Sequence, residues 1–464
     1  MPVDNLASTL LWGLLVVYGI AMYLLAPATR TVGGFFRGHN ARGQPASVWS
    51  LTASLFIIWI MAKSVTNAAN LGAAYGIVGG LAYATYWLSI PIAGLLIYRL
   101  RTREGATGLV SYLEFKYGRA AALTFTAAIV IRLYNEIWSN TSVVGAYFGH
   151  PGEASFLVAA SLFTAFVVLY TIKGGLRTSI VTDVIQAVVF VFFLSVVLLV
   201  VVPHHDVRAL LTAGSFTLGT GLDLVFVAFV QTLSYPFHDP ILTDRGFITS
   251  EKPMLKAFIA AGIFGFFSIL LFSLVGVHAY LEQLPIAGNA PAIVGQAFGL
   301  TGLLVMTTIM MNSAGSTIDS TLSSVAKLIG LDLPALAGRT LGDRAVAVGM
   351  GSMIFLALIG SIPMVFGTDI LKATTISGTM VMGLAPIFLL GHWVRYAPWS
   401  FHLSFWIGLG LGLLQALEWV PQAWAIGIGK YGLLLGANVY GLALCTIGFL
   451  LPLMWSQPKR VEPR

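Results

Sequence analysis

The chain has 464 residues, of which 57% are hydrophobic and only 9% charged, and its mean hydropathy is +0.87. Soluble domains run near a quarter charged, so this composition excludes a water-soluble globular protein. The net charge of +7 and a sequence pI near 9.4 would fit an anionic partner such as nucleic acid, but the placement of the basic residues points to a lipid bilayer instead.

Apolar stretches of roughly 18 residues or more, enough to cross about 30 Å of hydrocarbon as helix, recur along the whole chain. They predict an all-α integral membrane protein of about thirteen spans, near 9–27, 48–72, 74–98, 120–148, 155–172, 179–202, 222–243, 256–281, 295–326, 343–364, 368–390, 401–418 and 431–454. The stretches are continuous, not alternating, which excludes a β-barrel. The first lacks a basic lead-in and a small-residue cleavage site, so it reads as a helix and not as a removed leader. Arg30, Arg37, Arg42, Arg99, Arg101, Arg103, Lys116, Arg119, Lys173, Arg177, Arg245, Lys252, Lys256, Lys327, Arg339, Arg344, Arg395, Lys459, Arg460 and Arg464 fall in every second connection or in the tail. That is the positive-inside pattern, and it places the N-terminus outside and the C-terminus in the cytoplasm of a cell (inner) membrane. The lone cysteine, Cys445, sits in an apolar stretch, so disulfides and cysteine-based metal sites are excluded.

In chain order, the first unusual feature is the second span, where Ala62–Gly72 interrupts an apolar run with polar residues. Lys63 falls about 15 residues into this span, roughly 22 Å deep at 1.5 Å per residue. It either snorkels to the outer surface or places a fixed cation inside the bundle. Ile131–Thr141 in the fourth span carries Arg132 and Glu136 one turn apart, able to pair, together with Trp138 and further polar and aromatic groups. Gly174–Gln186 reads G-G-L-R-T-S-I-V-T-D-V-I-Q, where the double glycine permits a tight turn and Asp183 enters the membrane, at a cost unless partnered. Gln231–Pro240 is a second interrupted stretch. The two interruptions open two successive groups of five spans, as broken helices do in inverted-repeat transporters.

Ser313–Ser324 reads S-A-G-S-T-I-D-S-T-L-S-S. Its hydroxyls either bond the carbonyl one turn back or supply the hard oxygen ligands of a small cation. Gly408 and Gly412 have the spacing of a helix-packing face. His204, His205 and Asp206 could hold a metal, but three neighbours in an outer connection read first as solvated. G-I-G-K-Y at Gly427–Tyr431 lacks the Ser or Thr of a phosphate loop, and no other catalytic motif is found. A channel filter would need a repeated element, and none is visible.

The Gly174–Gln186 and Ser313–Ser324 stretches are similar to signature segments of the sodium:solute symporter family. Asp239–Lys252 resembles that family's inner loop and Ser377–Gly391 its tenth core helix. The resemblance covers roughly residues 45–415. It implies a five-plus-five helix core in inverted topology with one helix before and two after. The corresponding division is an N-terminal helix and loop (1–47), two repeats (48–202 and 203–390) and two final helices (391–464). It further implies a sodium site formed by the carbonyls of Trp59, Ala62 and Ser313 with the hydroxyls of Ser316 and Thr317, assisted by Asp183. Lys63, Thr66, Arg132, Glu136 and Trp138 are then the candidates for substrate binding or coupling. Lys63 departs from the family, which usually has a small or neutral residue there. The expected function is cation-coupled symport, with Na+ the expected ion, of a small carboxylate-bearing or zwitterionic solute. Proton-coupled or uncoupled transport through Lys63 is the alternative, and a channel or membrane enzyme is the more distant one. No organic cofactor is expected.

Overall fold

The computed structural model describes residues 5–365 and 370–454. Lys459, Arg460 and Arg464 of the tail, and 368–369 at the head of the predicted 368–390 span, lie outside the described residues. Every regular element among the described residues is a helix, as the composition demands.

Helix α1 (Asn5–Leu25) precedes a first group made of α2 (Val48–Trp59), α3 (Ala62–Tyr75), α4 (Ile77–Glu104), α5 (Arg119–Gly145), α6 (Ala154–Thr171) and α7 (Leu176–Val201). A second group follows: α8 (Leu222–Gln231), α9 (Pro240–Thr243), α10 (Glu251–Leu281), α11 (Ala290–Ala297), α12 (Gly299–Lys327), α13 (Arg344–Gly360), α14 (Ile370–Met380) and α15 (Leu384–Leu389). Helices α16 (Pro398–Ala416) and α17 (Gly432–Leu450) complete the described chain. Eight helices are long and apolar enough to cross a membrane, and α2 with α3, bent by 58°, makes a ninth. The other four predicted spans fall on α8 with α9, on α12, on α14 with α15, and on α16, none of which meets that length and apolarity.

Both groups open on a broken helix. Between α2 and α3, Ile60 leaves helical geometry at ψ 55° and Met61 is extended, although neither residue is Gly or Pro. Contacts from elsewhere in the bundle hold this break: Thr317 Oγ1 donates to the Ile58 carbonyl at 3.3 Å, and Trp59 Nε1 donates to Asp239 at 3.1 Å. The second break has a local cause as well. Pro236 and Pro240 each remove a backbone donor, and Asp239 caps α9 by accepting from the Ile241 N–H at 3.2 Å.

The stretch 239–252, read above as an inner loop with Arg245 among the basic residues of the connections, is largely buried. Asp239 and Arg245 are fully enclosed and Thr243 nearly so, because the broken helix carries them back into the bundle. Small residues set the tightest approaches. A methyl group added at Gly276 of α10 would lie 1.8 Å from the Ala69 carbonyl oxygen of α3, and one at Gly72 would lie 2.5 Å from the Ser273 carbonyl oxygen. Gly408 and Gly412 fit against backbone at Gly383 and Met380, the packing role their spacing indicates. Gly175 takes φ +54° at the turn into α7, a left-handed conformation that glycine adopts without steric cost.

The orientation drawn from the basic residues gives a direct test. Arg103→Cys and Lys252→Cys, both at exposed positions, should react with impermeant thiol reagents only from the cytoplasm, and His150→Cys only from outside. The native Cys445 is buried and contributes little background. Labelling of position 150 only from the inside would overturn the orientation.

Candidate functional site

Two polar networks lie inside the bundle, one on each side of the α2–α3 break. The first contains two cations and two carboxylates. Lys63, on the first turn of α3, is 1% exposed and donates to Glu136 Oε1 at 2.5 Å. Its ammonium therefore does not reach the surface. Arg132 pairs with Glu136 one turn along α5, and reaches Asp239 Oδ2 at 3.0 Å. Asn140 donates to the second Glu136 oxygen at 2.9 Å. Lys63 and Arg132 thus balance Glu136 and Asp239, which is what burial of charge in a low-dielectric bundle requires.

Aromatic rings close around these charges. Trp59, Met61, Lys63, Ser64, Tyr83, Tyr86, Trp87, Arg132, Tyr235 and Thr374 line a cavity of about 30 Å³, space for one or two waters. Trp59 meets Trp87 and Tyr235 edge-on at 6.2 and 6.3 Å, and the Arg132 guanidinium stands 5.4 Å from the centre of the Tyr235 ring. Tyr86 donates to Gln231 Oε1 at 2.7 Å, tying the cavity wall to α8. Of the residues expected to contact substrate, Lys63 and Arg132 line this cavity, with Glu136 bonded directly behind them. Thr66 donates to the Ala62 carbonyl at 3.0 Å, and Trp138 is buried on α5 away from the cavity lining.

The second network centres on Asp183. Ser316 Oγ donates to Asp183 Oδ1 at 2.8 Å, while Ser54 at 2.5 Å and Arg245 at 3.0 Å donate to Oδ2. Arg245 also donates to Ser54 Oγ at 2.7 Å, the Ile241 carbonyl at 2.7 Å and Ser320 Oγ at 2.8 Å. A second carboxylate, Asp319, accepts from Ser179 at 2.8 Å, Thr182 at 2.9 Å and Tyr170 at 3.1 Å. All of these side chains are fully buried or nearly so. One guanidinium therefore stands against two carboxylates.

Of the residues expected to hold a cation, Ser316, Thr317 and the Ser313 carbonyl stand together at the edge of this network, beside the Ile58 carbonyl. Thr317 Oγ1 lies 3.0 Å from the Ser313 carbonyl and 3.3 Å from the Ile58 carbonyl. The end of α2 at Trp59 leaves last-turn carbonyls without intrahelical donors. Ser313 Oγ is buried with no protein hydrogen-bond partner. Hydroxyls, carbonyls and a carboxylate one bond away form an all-oxygen set that fits a small hard cation. Asp239, Arg245, Asp319 and the tyrosines of α4 are absent from the residues selected on sequence grounds. Asp239 and Arg245 stand in a stretch that reads as a loop, and Asp319 stands inside the quoted serine-rich helix, its carboxylate being the available signal.

The two networks differ in what a single deletion leaves behind. Arg245→Met strips Asp183 of its counter-charge and should cost about 3–5 kcal/mol, read as a lower thermal unfolding midpoint in detergent. Lys63→Met leaves Arg132 shared between Glu136 and Asp239, so no carboxylate loses its last cationic partner and the cost should be smaller. A loss below about 1 kcal/mol for Arg245→Met would show that Asp183 draws its charge balance from a source other than Arg245.

Comparison with known proteins bears on the family and the fold. Residues 42–213 match the family model described as sodium:solute symporter family. Sodium/glucose cotransporter 1 of Ovis aries is 25% identical over 177 residues, 38% of this chain and 26% of the relative. The same protein of Sus scrofa is 28% identical over 183 residues, with the same two shares. The matched part thus spans about a quarter of those relatives' length. Among solved structures, a Na+-coupled sialic acid symporter in a substrate-bound outward-open state superposes with a TM-score of 0.74 at 16% identity, covering 97% of this chain and 98% of that one. A nucleobase-cation-symport-1 family transporter in a closed conformation gives 0.62 at 12% identity, covering 93% and 94%. These likenesses show the inverted-repeat transporter fold over nearly the whole chain. The resemblance to the sodium:solute symporter family stands on residues 42–213, and over the rest of the bundle the likeness is one of fold.

Proposed function

We propose that the chain is a secondary active transporter that couples Na+ to the movement of a small organic solute. The observation that carries this reading is the charge of the Asp183 network. Two buried carboxylates face one buried guanidinium, and Ser316 links Asp183 to the hydroxyl and carbonyl oxygens beside the α2–α3 break. A monovalent cation on those oxygens supplies the missing positive charge, and its departure restores the deficit. The proposal that Trp59, Ala62, Ser313, Ser316 and Thr317 hold the ion, with Asp183 behind them, rests on that balance.

The solute reading rests on the first network. Its cations already have carboxylate partners, so the neighbouring sodium does not face the unpaired Lys63 charge that the sequence raises; Glu136 stands in the way. A solute carboxylate could replace Asp239 on Arg132 while the aromatic wall receives its apolar part. We assign the solute to the carboxylate-bearing or zwitterionic class on this ground. Proton coupling is the second reading, favoured by the same charge deficit, which a proton on Asp319 or Asp183 would also settle.

A larger cavity of about 940 Å³ opens between α5, α9, α12 and the segment 101–111, lined by Arg37, Arg101, Lys327 and Arg339 among others. The positive-inside rule supports a cytoplasmic placement of this vestibule.

Uptake into proteoliposomes from a panel of labelled solutes, with sodium and proton gradients imposed separately, tests the function. Accumulation driven by the sodium gradient alone is expected. A proton-driven signal without sodium dependence would replace the first reading by the second, and no accumulation under either gradient would remove both. Ser316→Ala and Thr317→Ala should each raise the sodium concentration for half-maximal uptake at least about tenfold, as expected for losing a charge-assisted contact of roughly 1.5–3 kcal/mol. Their solute KM at saturating sodium should change much less. Unchanged cation activation in both variants would take these residues out of the ion site.

A further inference from the structure

On the face of the bundle opposite the vestibule, α7 ends at Val201. The chain then turns through Val202–His204 into a short helix, Val207–Thr212. His205 sits between these two elements in extended backbone, φ −135° and ψ 156°, and Asp206 caps the short helix by accepting from the Arg208 N–H at 2.9 Å. Both neighbours therefore fix its position. Facing it, α10 brings His278 in its last turn and Glu282 four residues later, a spacing that puts both side chains on one helix face.

The three side chains converge. His205 Nε2 lies 2.9 Å from His278 Nδ1 and 3.6 Å from Glu282 Oε1, and the ligand atoms all fall within 4.8 Å of one another. His278 is 5% exposed, whereas the Glu282 side chain is 51% exposed and leaves the group open to solvent on one side. Phe298, with its ring 5.3 Å from that of His278, and His204, at 5.8 Å, wall the other side. Among the described residues this is the one grouping of three metal-ligating His, Cys, Asp or Glu side chains.

The geometry points to a transition-metal site of the zinc class at this place, with His205 Nε2, His278 Nδ1 and a Glu282 carboxylate oxygen as ligands and a fourth position open to water. Ligands at about 2.0–2.1 Å from one tetrahedral ion stand roughly 3.3 Å apart, and the separations of 2.9 and 3.6 Å lie on either side of that value. Two imidazoles with one carboxylate form a donor set that zinc accepts, whereas magnesium and calcium require oxygen throughout. The direct imidazole–imidazole hydrogen bond holds one proton between two nitrogens, and the ion takes that position. Because His205 follows the last helix of the first group and His278 belongs to the second group, a bound ion ties the two groups together on this face.

The test uses the purified full chain in detergent, without a histidine tag, and Zn2+ alone as the probe, titrated against a fluorescent zinc chelator. One ion per chain should bind with micromolar or tighter affinity, and millimolar Mg2+ should not displace it. His205→Ala and His278→Ala should each weaken binding at least about tenfold, the loss expected when a site with three protein ligands is cut to two. His150→Ala, at an exposed histidine elsewhere, should leave binding unchanged. Zn2+ should raise the thermal unfolding midpoint of the wild type and not of the ligand variants. Glu282→Gln guards against misfolding of a histidine variant, because its half-exposed side chain can be changed with little effect on the metal-free midpoint; it too should bind more weakly. Substoichiometric uptake, or uptake that survives in both histidine variants and in Glu282→Gln, would overturn the site.

Discussion

The Asp183 carboxylate is the point on which the bundle turns. Its two oxygens accept from Ser54 on α2, Ser316 on α12 and Arg245 in the turns after α9, while Asp183 itself belongs to α7. Four segments far apart in sequence are thereby fixed around one carboxyl group in a medium where an unpaired charge costs several kcal/mol. Such a cluster tolerates no loose member. Arg245 in particular satisfies Asp183, three serine hydroxyls and the Ile241 carbonyl together, so the broken second-group helix and the hydroxyls of Ser54, Ser179 and Ser320 share a single anchor.

The broken helices follow from this arrangement as much as from local chemistry. Nothing in the residues at Ile60 and Met61 forbids a continuous helix, and the break persists because side chains from α12 and from the start of α9 engage the end of α2. At Pro236 and Pro240 the sequence itself withdraws the donors. The two halves thus arrive at matching breaks by different means. That difference explains why one interruption is marked in the sequence by proline and the other only by a run of polar residues.

Much of the framework was legible before any coordinates. Nine of the thirteen apolar runs, the Gly174–Gly175 turn and the pairing of Arg132 with Glu136 depend on neighbours within a few residues, and they stand as read. What escaped depends on partners more than 100 residues away. Asp239 and Arg245 look like members of a polar loop until Trp59, Arg132, Ser54 and Asp183 are set beside them. Lys63 has two readings from sequence because its depth alone cannot say which way the chain points; the Glu136 carboxylate decides it. The aromatic wall from α4 carries no signal at all, since Tyr83, Tyr86 and Trp87 are unremarkable in an apolar span.

The separation between the central pocket and the vestibule has a kinetic meaning. Ile129 lines the vestibule and Arg132 the pocket, so less than one turn of α5, about 5 Å, divides the two. On the opposite side α3 continues to Tyr75 with its backbone pressed against α10 at Gly72 and Gly276. The pocket and the vestibule share one turn of α5, whereas the far face lies beyond two helices whose backbones meet at Gly72 and Gly276. Side chains move in nanoseconds and packed helices in microseconds to milliseconds, so any passage that needs α3 and α10 to separate is tied to the slower of the two motions.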